Sequence, residues 1–158
     1  MAEPLADSVI QRIGQAADLY HRLVMLVAPP GAGKTAVLRA VRERTAAPLV
    51  NVNLDLSRQL LDLTARQRTL QLPHLLSNIV ASSAAEVTLL DNIEILFDIT
   101  LKQDPLRLLQ GLSRNRTVVA AWNGSIKGEH LAYAAPGYPE YRRYPSRDFL
   151  VVTPEATA

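Results

Sequence analysis

The residues best able to do chemistry lie together in the stretch Ala28-Pro-Pro-Gly-Ala-Gly-Lys-Thr35, which follows an apolar run and precedes a pattern of helical spacing. Phosphate oxygens concentrate negative charge, and the amino end of a helix offers unpaired N–H groups together with the positive end of the macrodipole. Glycines at 31 and 33 let the backbone curl around such a group with no side chain in the way. The expected nucleotide contacts are therefore Pro30, Gly31, Ala32, Gly33, Lys34, Thr35 and Ala36. Main-chain donors are expected from Gly31 through Thr35, because Pro29 and Pro30 have no N–H to give. Lys34 should reach the β- and γ-phosphates of ATP, and Thr35 should set its hydroxyl on Mg²⁺. This is the chemistry of a P-loop. The first position of the pattern G-x-x-x-x-G-K-[ST] holds Ala28 instead of glycine; it closes the strand rather than touching phosphate, so a methyl group is expected to be tolerated.

The run Val87-Thr-Leu-Leu-Asp91 delivers a carboxylate to the end of a short β-branched, apolar strand. From there Asp91 could hold Mg²⁺ directly or through water, so Thr35 and Asp91 are the candidate metal residues. A cap on the next helix is the competing reading of Asp91. Many ATPases with this arrangement place a glutamate directly after the aspartate to polarise the attacking water, but here Asn92 stands there and cannot accept a proton. Glu94 is the nearest replacement, although an acid in a first helical turn also favours the helix dipole. Slow hydrolysis is the expectation. Asn123, at the end of a further strand, reads equally as a sensor of the γ-phosphate or water and as the start of an Asn-Gly turn. Glu94 and Asn123 are thus the candidate catalytic residues.

These groups need elements to position them. Residues 5–22 have Leu5, Val9, Ile13, Ala17 and Tyr20 about one turn apart, which predicts an amphipathic helix. Residues 23–28 predict a buried strand and 34–45 a helix that Pro48 cannot continue. The alternation in 49–54 predicts a second strand; Ser57 could cap a helix to about Leu63, and Pro73 could start another to about Ser82, with "TARQRTLQL" between them left unassigned. Strands are expected at 87–90, 117–122 and 149–152, with a helical stretch over 92–112 split at Pro105 and at most one short helix after Gly124. Strands alternating with helices predict an α/β fold, a three-layer P-loop NTPase core around a mainly parallel five-stranded sheet. Residues 1–153 are expected to form one such domain and 154–158 a disordered tail.

At 158 residues the chain is long enough to bury about 70% of the surface it would expose unfolded. Hydrophobic residues are 48% and charged residues 20%, an ordinary globular balance that argues against disorder. No apolar run approaches the roughly 18 residues of a membrane span, and the start has neither a basic segment nor an apolar stretch, so a soluble, unexported protein is expected. The absence of cysteine excludes disulfides and thiolate metal sites and fits a reducing cytoplasm. A net charge of +2 is small for a protein that holds nucleic acid by electrostatics, so any DNA contact is expected to be indirect or weak.

Other groups have plain readings beside functional ones. Arg114, Arg116, Arg142, Arg143 and Arg147 could act as arginine fingers across the interface of a homo-oligomer, or be solvated. Arg58, Arg66 and Arg68 could form a basic face or the polar side of a helix. The tyrosines and arginines of "YAAPGYPEYRRYP" could stack on bases or pack over the sheet edge. His21, His74 and His130 lack ligand spacing. Asp55 could hold the acceptor hydroxyl of a small-molecule kinase, or simply sit at a helix start. An interaction module with a vestigial P-loop is a third class of reading.

Taken in order, "LVMLVAPPGAGKTAVLRAV", "NVNLDLSRQLLDLT", "VTLLDNIEILF", "TVVAAWNG" and "YAAPGYPEYRRY" resemble the BrxF family, the small P-loop proteins of type 3 BREX bacteriophage-defence systems, over about residues 8–152. Its least generic parts are "LDLSRQLLDLT" and the segment from "WNG" to "PEYRRY". The resemblance implies a bacterial cytoplasm, other BREX proteins as partners (a larger ATPase, a methyltransferase and a phosphatase-like subunit), and a part in discriminating or blocking phage DNA. The core also resembles the AAA+ branch of P-loop ATPases, which implies an extra strand between the P-loop strand and the Asp91 strand. AAA+ proteins usually add a helical lid after the last core strand, whereas this chain stops soon after "FLVV". A switch or assembly subunit is expected rather than a motor.

Overall fold

The computed structural model describes residues 2–154. Strand β1 (Leu23–Ala28) is buried at every position, as a strand covered on both faces must be. It lies in parallel between β4 (Thr117–Lys127) and β7 (Leu150–Val152). Strands β3 (Val87–Asp91) and β2 (Leu49–Asn51) continue the sheet beyond β4, so the parallel order is β2-β3-β4-β1-β7, with β4 as the extra strand between β1 and β3. Leu23, Met25 and Val27 of β1 point to one face and Val24 and Leu26 to the other. The first face is covered by α3 (Val52–Leu60), α4 (Ala65–Ala81) and α5 (Pro105–Leu112), the second by α1 (Ala2–Ala16) and α2 (Lys34–Thr45). Arg44 of α2 pairs with Asp7 and, at 3.8 Å, Glu3 of α1. The expected α/β P-loop core is thus present, and among the described residues no helical lid follows β7. None of the helices among them is long and apolar enough to cross a membrane. The expected tail falls, after Pro154, outside the described residues.

Several boundaries differ from the sequence reading for local physical reasons. Helix α1 ends at Ala16, where the Leu19 N–H closes a turn on the Ala16 carbonyl at 3.0 Å; Tyr20, expected on its apolar stripe, is 68% exposed. Strand β2 stops at Asn51 because the Asn51 side chain accepts the Leu54 N–H at 3.1 Å and caps α3, which puts Ser57 inside that helix rather than at its start. Thr64 and Gln67 form a reciprocal capping box that starts α4 eight residues or more before Pro73, so the unassigned segment is helical. Residues Ile93–Phe97 and Ile99–Leu101 are 3₁₀ turns, and the split at Pro105 holds, with Asp104 capping α5. Asn123-Gly124 is no turn: β4 runs on through it to Lys127 and pairs antiparallel with β5 (His130–Tyr133), which pairs with β6 (Arg142–Pro145).

Pro73 survives inside α4 because a distant side chain replaces what it removes. Proline has no N–H for the carbonyl of Thr69, and Gln103 Nε2 donates to that carbonyl at 2.9 Å. Gln103→Ala is expected to lower stability by about 1–2 kcal/mol. In a Pro73→Ala background, where residue 73 regains its N–H, the same change should cost less, and urea unfolding of the four proteins measures the difference.

Candidate functional site

The loop between β1 and α2 takes its shape from two left-handed residues, Gly31 (φ 78°) and Gly33 (φ 91°), the latter at the amino cap of α2. A Cβ at either would meet no atom within 4 Å, so backbone conformation rather than space calls for glycine here. The Ala32 N–H donates back to the Pro29 carbonyl at 3.2 Å, and the helix's bonding begins only with Val37 N–H to Gly33 O, also 3.2 Å. The N–H groups of Gly31, Gly33, Lys34, Thr35 and Ala36 have no acceptor among the described residues. They form an open set of donors at a helix amino end. Ala28 ends β1 without positive φ, which is why a methyl group fits at the first position of the motif.

Lys34 is 8% exposed, and its Nζ donates to the carbonyls of Ala28 and Pro29, each at 2.8 Å. An ammonium has three donors, so one is left for a ligand. Burial lowers its pKa, and the nearby charges of Glu94 and Asp91 oppose that shift. Thr35 Oγ1 donates to Asp91 Oδ2 at 2.6 Å, which joins the start of α2 to the end of β3. The other oxygen, Oδ1, accepts the Asn92 N–H at 2.9 Å. Asn92 sits at φ 55°, a left-handed position that asparagine tolerates and glutamate does not favour. Backbone geometry thus accounts for an asparagine directly after Asp91.

Glu94 follows in the first 3₁₀ turn, half-buried. Burial raises its carboxyl pKa; the glutamate's own N–H and Lys34 pull it down, and Asp91 pushes it up. Asn123 lies beside Ala28 in the sheet, so β4 brings it level with the P-loop's first residue. It borders a cleft of about 490 Å³ whose walls include Pro29, Pro30, Tyr133 and Glu140. The sequence singles out Tyr133 only as one tyrosine of "YAAPGYPEYRRYP", and Glu140 not at all, because the β4–β5–β6 extension that brings them to this cleft reads there as a loop. The structure brings Lys34, Thr35, Asp91 and Glu94 into one electrostatic group, with Asn123 on its rim. The donor set suits a polyphosphate, and Thr35 with Asp91 suits an octahedral divalent ion that keeps most of its waters.

The other candidates lie elsewhere. Arg114 stacks over the Tyr20 ring at 4.8 Å, and Arg116 donates to the carbonyls of Val80 and Ser83, both before the amino end of β4 and so at the opposite edge of the sheet from the P-loop. Arg68 donates to the carbonyls of Leu60 and Leu63, closing the carboxyl end of α3 instead of forming a basic face with the exposed Arg58 and Arg66. Arg142 donates to the Tyr141 carbonyl, while Arg143 and Arg147 are exposed. Asp55 borders a separate cavity with Arg58 and Asn78. His21 and His74 bond to the Gln110 carbonyl and to Asn78, and His130 starts β5.

No curated protein matches the chain. The family model of the ATPase family associated with various cellular activities (AAA) matches residues 24–121, from β1 into the parallel part of β4. That span is more than half of the 158 residues and contains the P-loop, Asp91 and Glu94. The strand order and the Lys34–Thr35–Asp91 geometry agree with it, and the chain belongs to the AAA family of ATPases.

Proposed function

We propose that this protein is an ATP-binding subunit of a BREX anti-phage defence complex, in which slow or partner-stimulated, Mg²⁺-dependent hydrolysis serves as an assembly or switching signal. The observation that carries the nucleotide reading is the 2.6 Å bond from Thr35 to Asp91 beside a buried Lys34 whose third donor is unused. In this reading the N–H groups of Gly31 and Gly33 to Ala36 bind the phosphate chain and Lys34 meets its β,γ end. Thr35 and Asp91 hold Mg²⁺, which supplies charge neutralisation on phosphate oxygens. Glu94 accepts the proton of the attacking water, and Asn123 orients that water or the terminal phosphate. The BREX part rests on the resemblance carried by "LDLSRQLLDLT" and by "WNG" to "PEYRRY". Its partners are then a larger ATPase, a methyltransferase and a phosphatase-like subunit, in a bacterial cytoplasm, with a homo-oligomer as a further assembly and DNA reached indirectly or weakly.

Glu94→Gln is expected to slow hydrolysis by a factor on the order of 100 while the Kd for ATP with Mg²⁺ stays within about twofold. It should not lower Tm. A carboxyl whose pKa is raised by folding contributes stability that is full below its ordinary 4.5 and is lost as pH rises through the raised value, so at neutral pH removing the charge relieves a burden. Released phosphate, calorimetry and thermal melts read the three quantities. A tagged chain recovered from cells with the whole defence system, with and without ATP, tests the assembly role. Identical protein and DNA partners in both conditions, and for Lys34→Ala, would overturn it.

A further inference from the structure

The aromatic group above the first 3₁₀ turn has one loose end. Phe97 and Tyr133 are stacked with centroids 3.5 Å apart and planes 9° from parallel, and Trp122 meets both edge-on at 5.1 and 5.9 Å. Trp122 Nε1 donates to the Ala132 carbonyl at 3.1 Å, and Tyr144, the fourth ring, donates its hydroxyl to Asp104 Oδ1 at 2.9 Å. The Tyr133 hydroxyl bonds to none of the described residues, although the residue is only 9% exposed. The buried side-chain oxygen without a partner among the described residues is Thr88 Oγ1, so the Tyr133 oxygen is not sealed in the core but opens onto the cleft that the residue borders. Its surroundings say what it could meet. Tyr133 borders the cleft shared with Pro29, Pro30 and Asn123, and the Pro29 carbonyl on that wall also receives the Lys34 ammonium. Burial, with the charges of Glu94 and Glu140, pushes the phenol up to about 12, so it stays protonated and acts as a donor.

We propose that Tyr133 is a positioning residue for the terminal phosphate: its hydroxyl donates to the γ-phosphate, or to the water beside it, in the cleft next to Asn123. The stack on Phe97 and the edge contact with Trp122 then carry the presence of that phosphate into the β4–β5–β6 extension. This rests on the nucleotide reading above. It lies outside the matched span, which ends at residue 121.

The chain has a single tryptophan, so the emission of Trp122 reports this group directly. Wild type, Tyr133→Phe, Tyr144→Phe and Lys34→Ala are titrated with ATP·Mg²⁺ and with ADP·Mg²⁺, by calorimetry and by tryptophan emission. Wild type should prefer ATP and show an emission step that ADP does not match. Tyr133→Phe keeps its ring, so Tm and ADP affinity should hold, while the ATP-over-ADP ratio falls about tenfold and the step disappears. Tyr144→Phe, which loses the bond to Asp104, should retain both. An unchanged ratio and step in Tyr133→Phe overturn the proposal, as does their equal loss in Tyr144→Phe. If wild type binds ATP·Mg²⁺ no better than Lys34→Ala does, the nucleotide reading itself falls.

Discussion

Lys34→Ala is expected to weaken binding of ATP·Mg²⁺ by a factor of about 100 or more while leaving the fold intact. The ammonium is buried, preorganised by two main-chain carbonyls at 2.8 Å, and has a donor to spare. A hydrogen bond from a charged donor to a phosphate is worth about 1.5–3 kcal/mol, and a half-enclosed loop screens it less than bulk water does. The change in Tm should be small. Burial already lowers the lysine's pKa, so removing the charge relieves a desolvation penalty that offsets the loss of its bonds to Ala28 and Pro29. Lys34→Arg should not rescue binding, because a planar guanidinium does not fit a position that holds a point charge between two carbonyls. Calorimetry with each variant is the measurement; an ATP affinity equal to that of wild type would remove the phosphate from this loop.

Gly124→Ala should be the most damaging of the glycine-to-alanine changes. A Cβ there would stand 1.9 Å from the Ala132 carbonyl oxygen and 2.9 Å from Trp122 Nε1. The first obstacle is backbone of the paired strand, in register across from Ala132–Tyr133, and it cannot swing aside as a side chain would. Either the antiparallel ladder opens or the Trp122 to Ala132 bond breaks, and both loosen the ring cluster beneath. The expected loss is about 3 kcal/mol, which for a protein of this size is a fall in Tm of roughly 6–12 °C. Thermal melts followed at Trp122 measure it. A variant as stable as wild type would mean that β4 does not run past Asn123 as described.

The features that were legible from sequence are those set by neighbours in the chain. The run Leu23–Ala28, the turn behind it and the helix from Lys34 agree with the structure to the residue, because strand length, glycine placement and apolar spacing are all local. Asp91 likewise ends β3 as its apolar run implied. Asn51 was harder: the alternation of "LVNVNL" fits a strand, but a side-chain cap on the Leu54 N–H wins and turns the chain into α3. Pro73 reads as a helix start until Gln103, 30 residues on, is seen donating to the carbonyl it orphans. Asn123-Gly124 has the composition of a turn, and here glycine serves instead to let two backbones approach.

Phosphate chemistry was therefore written into one short segment, because the groups that bind a phosphate are main-chain amides and a lysine a few residues apart. What folding alone decided is the company they keep. Asp91 reaches Thr35, Glu94 comes within range of Lys34, and Tyr133 is carried to the rim of the site by strands that pair across long sequence distances. Pairings of that kind depend on which surfaces can be buried together, and local propensity holds no record of them.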